Sequence, residues 1–212
     1  MPAYPLPHPW IPGTEEAPFE ARLQENQDKI AKRLGELTPL SAPGTTFPIN
    51  PHEGQKFTYI ADATNGVLWS FEYHATGSAY DWWFVGGAAL LANVNTFETR
   101  TNTSFGDLAT VGPTVTAPLA GDYEVSFGSH IRNDTVNQDS FVSFSVGASA
   151  ATDADGVQAW SASATVAGWS ETKTLRKTGI AAASALTLKY RSTGGTASYR
   201  NRWLRIQPVR VG

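Results

Sequence analysis

Histidines and carboxylates are the residues that could do acid–base or metal chemistry. Their spacing in this sequence favours neither acid–base catalysis nor metal binding. The four histidines are far apart, and none lies at metal-ligand spacing from another; they are His8, His52, His74 and His130. Cysteine is absent, which excludes thiolate nucleophiles and thiolate-bound metals. Asp153, Asp155 and Gly156 resemble the start of a calcium loop, but the other ligand positions and the closing glutamate are missing. We expect no metal site, and we expect His130 to be a surface residue.

The motifs of nucleophilic catalysis are also missing. The sequence contains no serine in a tight elbow flanked by glycines, and no glycine loop that could hold a phosphate with its lysine. Paired carboxylates for glycoside hydrolysis can lie anywhere in a sequence. After residue 96, however, acids are scarce and lie mostly at predicted turns; they are Asp107, Asp122, Glu124, Asp134, Asp139, Asp153, Asp155 and Glu171. We therefore expect neither an enzyme nor a bound cofactor.

Aromatic side chains are the better candidates for binding. Trp160 and Trp169 lie among Ser, Ala and Thr residues, and Tyr199 follows a Gly194-Gly195 turn. Exposed aromatic rings bind the faces of sugars, so these three residues are candidates for glycan stacking. Aromatic residues more often fill a core or a subunit interface, and that interpretation stays open.

Residues 54–87 carry the clearest structural signal. Aromatic and apolar residues alternate with polar ones in three runs, with Asn65-Gly66 between the first two and a second turn around Gly77. An Asn-Gly pair readily takes the positive φ angles of a type I′ hairpin turn. The pattern predicts a three-stranded antiparallel meander within residues 51–95. Its aromatic face needs a cover from elsewhere, because so small a sheet is barely stable alone.

Three segments precede the meander. Residues 1–14 are rich in proline and should be extended. Residues 15–38 predict a helix whose apolar positions repeat every seven residues, as in a coiled coil where Asn26 would fix the register. A single amphipathic helix docked on its own domain is the alternative. Residues 39–50 contain several prolines and predict a linker.

Residues 96–212 consist of short alternating strands separated by turn residues. Alternate apolar positions predict inward faces at 123–131, 142–146, 186–190 and 204–206, and the last strand is expected to end before Pro208. About eight strands in this length favour a jelly roll. The predicted fold is therefore mainly β, with an N-terminal arm, a short coiled-coil helix, a small antiparallel β-meander and a C-terminal jelly-roll β-sandwich.

Charge and hydropathy bear on partners and location. The net charge is −3, yet from Glu171 onward there are nine Lys or Arg residues and one acid. These basic residues alternate along predicted strands and accompany no nucleic-acid-binding motif, so we expect no nucleic acid. The asymmetry suits contacts between subunits, but a solvated, structurally neutral face is the favoured interpretation. No apolar run reaches the roughly 18–20 residues that cross a bilayer, and the N-terminus lacks the features of a signal peptide. We expect a protein made in the cytoplasm that does not insert into a membrane.

The segment GQKFTYIADATNGVLWSFEYHATGSAYDWWFVGG, preceded by Asn50-Pro51, resembles a segment of tail and fibre proteins from bacteriophages and prophages of actinobacterial hosts. In those proteins a P…GQ start, a W-x-F-x-Y strand and a Y-x-W-x-F-V-G-G strand follow a helical stalk. Here the two strands are residues 69–73 and 80–87. The later sequences AGDYEVSFGS and NRWLRIQPVRVG resemble the terminal jelly-roll domain of the same proteins. The resemblance covers roughly residues 50–212 and implies a virion component, either a minor tail, fibre or spike protein or a capsid-surface fibre or decoration.

These features together predict a homotrimer located in the virion. Residues 1–14 would dock to other virion proteins, the helices would form a short stalk, and the jelly rolls would project to bind a host-surface glycan. The meanders would pack their aromatic faces around the threefold axis as a collar. The expected trimer seam consists of Phe19, Leu23, Asn26, Ile30, Leu37, Trp69, Phe71, Trp82 and Phe84. A free carbohydrate-binding module is the alternative.

Overall fold

The computed structural model describes residues 23–27, 29–30, 42–161 and 168–212. The chain divides into two compact units, residues 1–41 and 42–212. In the first unit the described residues are helical, and Lys29 donates a hydrogen bond to Glu25 at 2.6 Å, one helical turn away. The predicted arm and most of the predicted stalk lie outside the described residues.

The second unit is built from β-strands, which confirms the mainly β fold class. In chain order the strands are β1 (Lys56–Asp62), β2 (Val67–Tyr73), β3 (Trp82–Gly87), β4 (Leu90–Val94), β5 (Glu98–Arg100), β6 (Thr114–Thr116), β7 (Gly121–Asn133), β8 (Asp139–Val146), β9 (Val157–Trp160), β10 (Trp169–Ile180), β11 (Ala185–Ser192) and β12 (Ala197–Val211).

The strands form two antiparallel sheets. Sheet A has the order β1-β2-β3-β12-β7-β10, and β4 and β5 also pair with β12; sheet B has the order β6-β11-β8-β9. The part of sheet A made by β4 and β5, β12, β7 and β10 packs against sheet B, and one hydrophobic core draws residues from both sheets. This strand order is that of a jelly roll, as predicted.

The inward faces of the jelly-roll strands were predicted correctly. Tyr123, Val125, Phe127 and Ile131 of β7 are all fully buried. Strand β12 differs from the prediction, because it continues through Pro208 to Val211. A register shift between Pro208 and Arg210 interrupts its pairing with β7 there, and proline, which has no N–H to donate, is tolerated at such irregular positions.

Strands β1 to β3 form the predicted meander, with Tyr59 opposite Trp69 and Phe71 opposite Phe84. The first turn differs from a type I′ turn, which needs positive φ at both central residues. Of Asn65 and Gly66, only Gly66 has a positive φ, 66°. The Asp62 carboxylate instead holds a longer loop by accepting backbone hydrogen bonds from residues 64 and 65 at 2.9 and 3.1 Å.

The chain itself covers the aromatic face of the meander. Trp69 and Phe71 are fully buried, and Trp82 is 5% exposed. Phe47 stacks on Trp82 with 4.6 Å between ring centroids, and Trp69 packs on Tyr123 of the jelly roll at 6.3 Å. Contrary to the predicted collar, these three meander residues need no second copy to cover them. Phe84, on the same face, is half-buried.

Residues 42–50 belong to the second unit and do not form a linker. Gly44 pairs in parallel with β1: its N–H donates to the Thr58 carbonyl at 3.1 Å, and its carbonyl accepts from the Ile60 N–H at 2.9 Å. This contact covers part of the edge of β1, which unpaired backbone groups would otherwise leave open to other strands. The predicted boundary near residue 95 also disappears, because β12 pairs with strands on both sides of it.

We predict that Phe47→Ala lowers the free energy of unfolding by about 2–4 kcal/mol, because it removes a ring from the aromatic core. Urea unfolding followed by tryptophan fluorescence measures the change. Ile49→Ala is the matched control, since Ile49 is 90% exposed and should change stability by less than about 0.5 kcal/mol. Equal effects of the two substitutions would show that residues 42–50 are a linker after all.

Candidate functional site

Connections 134–138 and 193–196 meet each other and residue 161, which follows β9, at one end of the jelly roll, which we call the loop end. The backbone N–H of Asn137 donates to the Ser161 carbonyl, and the N–H of residue 134 donates to the carbonyl of residue 196. Asn133 is buried at this end, and its side-chain amide nitrogen lies 3.0–3.1 Å from three acceptors that share its two hydrogens: Ser140 Oγ, Ser192 Oγ and the Gly194 carbonyl. A saturated buried amide of this kind fixes the positions of the loops above it.

Trp160 and Trp169 both lie at the loop end, where Trp160 pairs with Asp139 and Trp169 pairs with Ile131. Trp160 is the last residue of β9 in sheet B and is 54% exposed; Trp169 is the first residue of β10 in sheet A and is 51% exposed. Large half-exposed aromatic rings offer flat apolar surface with a polar N–H at the edge, which suits the face of a sugar. The structure therefore leaves both predicted stacking residues accessible.

Tyr199 is not accessible, so the third predicted stacking residue is wrong. Its side chain is fully buried, its ring lies 4.8 Å from the ring of Tyr190, and its hydroxyl donates to the Arg191 carbonyl at 2.7 Å. Burial raises the pKa of the Tyr199 hydroxyl far above its ordinary value. The strand alternation that faces Leu204 and Ile206 inward also faces Tyr199 inward.

Asp153 and Asp155 serve as partners for basic residues. Arg191 donates to both carboxylate oxygens of Asp153 at 2.8 and 2.7 Å, and its guanidinium lies 3.7 Å from the ring centroid of Phe141. Lys177 donates to Asp155 at 2.9 Å. In residues 42–161 and 168–212, no cluster of three potential metal ligands occurs.

The histidines of the described residues have different environments. His74 contacts Glu53 at 2.7 Å and packs on Trp83, whereas His52 is exposed. His8 lies outside the described residues. His130 faces outward from sheet A, as predicted, but it is half-buried in a pocket.

We call this cavity the basic pocket; its volume is about 240 Å³, and its lining residues are Phe97, His130, Arg132, Gly168, Ser198 and Arg200. It lies on the outer face of sheet A beside the loop end. Two rows of side chains run across three strands here. In one row His130 lies between Ser170 on β10 and Arg200 on β12; in the next row Arg132 pairs with Ser198 of β12.

Hydrogen bonding and charge define the state of His130. Its Nδ1 lies 3.4 Å from Ser170 Oγ, and its Nε2 lies 3.2 Å from an Arg200 nitrogen. Burial lowers the pKa of His130, and the positive charge of Arg200 lowers it further. The imidazole is thus neutral at pH 7, and Nε2 accepts the hydrogen bond from Arg200. The positive charge of the pocket comes from its two arginines.

The opposite end of the same face has paired charges. Asp122 is buried and accepts hydrogen bonds from Arg176 and Arg210 at 2.8 Å and from the Gly179 N–H at 3.0 Å. Burial by itself raises the pKa of the Asp122 carboxyl, but the hydrogen bonds from Arg210, Arg176 and Gly179 together bring it below its ordinary value. This cluster joins β7, β10 and β12.

The predicted helical seam is described only in part. Leu23 and Ile30, one heptad apart, are 48% and 57% exposed in the single chain, and Asn26 lies between them in the helix. Phe19 and Leu37 lie outside the described residues. The two exposed apolar side chains leave the first unit with surface that a partner helix could cover.

Comparison with known proteins leaves the family open. No protein-family model matches the sequence, and no curated protein matches it. Solved structures with some similarity are dimeric latent PorU from Porphyromonas gingivalis (11% identity, TM-score 0.32, 58% of this chain and 13% of that one), isomalto-dextranase from Arthrobacter globiformis T6 complexed with panose (18%, 0.26, 73% and 24%) and CBM1 of BiXyn10A in the apo form (10%, 0.23, 69% and 76%).

The chain spans less than a quarter of the length of the first two structures. With TM-scores of 0.32 or lower, none of the three assigns a function to this chain. Among the described residues, no helix is both long and apolar enough to cross a membrane.

We predict that Asp122→Asn lowers the free energy of unfolding at pH 7 by about 2–3 kcal/mol, because two arginines lose their buried carboxylate. The folded-state pKa of Asp122 is below its unfolded value of about 3.9, so its contribution is present above that pH and is lost as pH falls through the folded-state pKa. Urea unfolding between about pH 2 and pH 7 should therefore show a weaker acid dependence in the variant.

Glu124→Gln is the control on the same strand and face, because Glu124 is 46% exposed and lies 3.7 Å from Arg205. Its effect at pH 7 should stay below about 1 kcal/mol. An Asp122→Asn variant as stable as the wild type would contradict a structural role for this cluster.

Proposed function

We propose that this chain is a structural protein of a bacteriophage particle, a trimeric minor tail, fibre or spike component whose jelly roll attaches to a glycan on the host surface. The resemblance of residues 50–212 to phage tail and fibre proteins supports the virion assignment. The motif strands of that resemblance are β2 and β3, whose aromatic residues form the core of the meander. A capsid-surface fibre or decoration would use the same architecture.

The observation that carries the attachment role is the half-exposure of Trp160 and Trp169 at the loop end. A large apolar ring exposed to water has a cost that core tryptophans such as Trp69 do not have. Loops held by a rigid sandwich are a common position for binding residues. Each of these two indoles, one on each sheet, offers a surface for stacking a sugar ring.

The helix supports the trimer. Leu23 and Ile30 are exposed in the single chain and repeat at seven residues, so a second and third helix could bury them. In the proposed trimer the meander contacts its partners through the face opposite to its buried aromatic face, which was the one expected at the interface. Trp83 and Val85 alternate with buried neighbours along β3 and are 44% and 54% exposed, on the side away from the core.

Binding to insoluble actinobacterial cell walls tests the attachment role. We expect Trp160→Ala combined with Trp169→Ala to weaken binding by about ten- to a hundredfold, because two stacking platforms are lost. Leu91→Ala, which removes a large side chain that is 57% exposed on β4, should bind as the wild type does. Wild-type binding by the double variant would rule out stacking at these residues.

Sedimentation velocity tests the trimer. We expect the wild type to sediment as a trimer at micromolar concentration, and Leu23→Asp combined with Ile30→Asp to sediment as a monomer, because charges replace the seam. Gln24→Asp adds a charge to the same helix outside the repeat and should leave the trimer intact. If only Trp83→Ser combined with Val85→Ser dissociates it, the meander and not the helix forms the interface. A monomeric wild type would exclude the trimer.

A free carbohydrate-binding module is the second candidate, and the same two exposed tryptophans favour it. Mass spectrometry and labelling of purified phage particles distinguish the two functions. A virion protein copurifies with particles at a fixed stoichiometry, whereas a free module remains in the lysate.

A further inference from the structure

The basic pocket contains two arginines that the fold does not use as ion-pair partners. Across the described residues, neither Arg132 nor Arg200 forms a salt bridge. Arg200 donates only to the neutral His130, at 3.2 Å. The Nε of Arg132 is buried and has no hydrogen-bond partner. The Nε atoms of Arg100 and Arg202 are also buried and unpartnered, so the lack of a carboxylate beside the two pocket arginines, and not the Nε of Arg132, points to a bound anion.

The other arginines of this outer face show that the absence of partners is local. Arg176 and Arg210 both pair with Asp122, and Arg205 faces Glu124 at 3.7 Å. The face therefore places carboxylates beside its arginines at one end and omits them at the other. The arginines near Asp122 and Glu124 thus have carboxylates beside them within the fold, whereas Arg132 and Arg200 in the basic pocket have none.

The carboxylate that follows Arg132 most closely in sequence does not fill this role. Asp134, two residues after Arg132, accepts hydrogen bonds from the Thr196 N–H at 2.7 Å and from the Thr135 hydroxyl at 2.9 Å. These bonds hold it in the turn and lower the pKa of its carboxyl. Asp134 is thus engaged at the loop end and is not among the residues that line the pocket.

The walls of the pocket suit a ring that carries an anionic group. Guanidinium groups match the planar oxygens of carboxylate and the oxygens of phosphate, and Arg132 and Arg200 approach from neighbouring strands. Phe97 is 59% exposed at the mouth and offers an apolar surface to a sugar ring. Gly168 leaves room above His130, because a Cβ at this position would collide with the imidazole. Trp169 follows it directly.

We infer that the basic pocket binds one anionic sugar unit, bearing a carboxylate or a phosphate, with Arg132 and Arg200 holding the anionic group and Phe97 contacting the ring. The inference rests on the proposed attachment function and names the chemical class of its glycan. A nucleic acid fits less well, since nucleic-acid sites need a longer run of unpaired cations, and Arg176 and Arg210 on this face are paired with Asp122 while Arg205 faces Glu124.

Binding of the purified full chain to three polymers tests the inference: polygalacturonate for carboxylate, poly(glycerol phosphate) for phosphate, and dextran as the neutral control. We expect tighter binding to one of the anionic polymers than to dextran at physiological salt. Arg200→Gln should weaken that binding about tenfold or more, and Arg132→Gln similarly, because each removes charge-assisted hydrogen bonds.

Arg205→Gln is the matched control, because Arg205 lies on the same strand and face and loses the same charge. Its affinity should stay within about twofold of the wild type, as expected for a charge outside the site. Arg200 is exposed, so Arg200→Gln should fold; thermal unfolding checks this, and Phe97→Ser is the second variant that should lose affinity.

The three polymers distinguish the two anionic groups. Loss on polygalacturonate alone assigns a carboxylate, and loss on poly(glycerol phosphate) alone assigns a phosphate. Equal weakening by Arg200→Gln and Arg205→Gln, no preference over dextran, or tighter binding to single-stranded DNA would each overturn the inference. These measurements need no particle. Polymer binding that depends on Arg200 would therefore survive if the chain is absent from virions, and a virion protein without such binding would retain only the proposed function.

Discussion

The packing of Trp69 against Tyr123 is the contact on which the rest of the second unit depends. It joins the aromatic face of the meander to the core of the jelly roll, so a three-stranded sheet that would be barely stable alone shares the burial of a larger sandwich. Phe47 completes the cover from outside the sheet by stacking on Trp82. The meander is thus an extension of one sheet, and its aromatic residues are structural.

Strand alternation in the sequence predicted most of this fold. Residues 123–131 and 186–190 alternate so regularly that their inward faces could be assigned, and strand number and length then favoured a jelly roll. The cover of the meander could not be predicted in the same way, because Phe47 lies in a segment with four nearby prolines and no periodicity. A single long-range aromatic contact leaves no local pattern in the sequence.

The residues of the candidate site could be predicted from the sequence only where the neighbouring residues indicate that a side chain is exposed to solvent. Trp160 and Trp169 lie among small polar residues, and both are accessible. Tyr199 has a similar turn beside it, but the alternation of β12 faces it inward, and that alternation was the better guide. The basic pocket escaped sequence reasoning because Phe97 directly precedes β5 while His130 lies on β7 and Arg200 on β12, and the pairing of these three strands brings the residues together.

Strand β12 follows every one of its pairing partners in sequence, and it lies between β7 on one side and β3, β4 and β5 on the other. During synthesis those four strands leave the ribosome before the strand that completes their sheet. Until it arrives, their edges are open and the meander lacks its final neighbour, a state in which chains pair wrongly with one another. The sheet can therefore close only after β12 has been synthesised, so the strand that joins the meander to the jelly roll also determines when the exposed edges disappear.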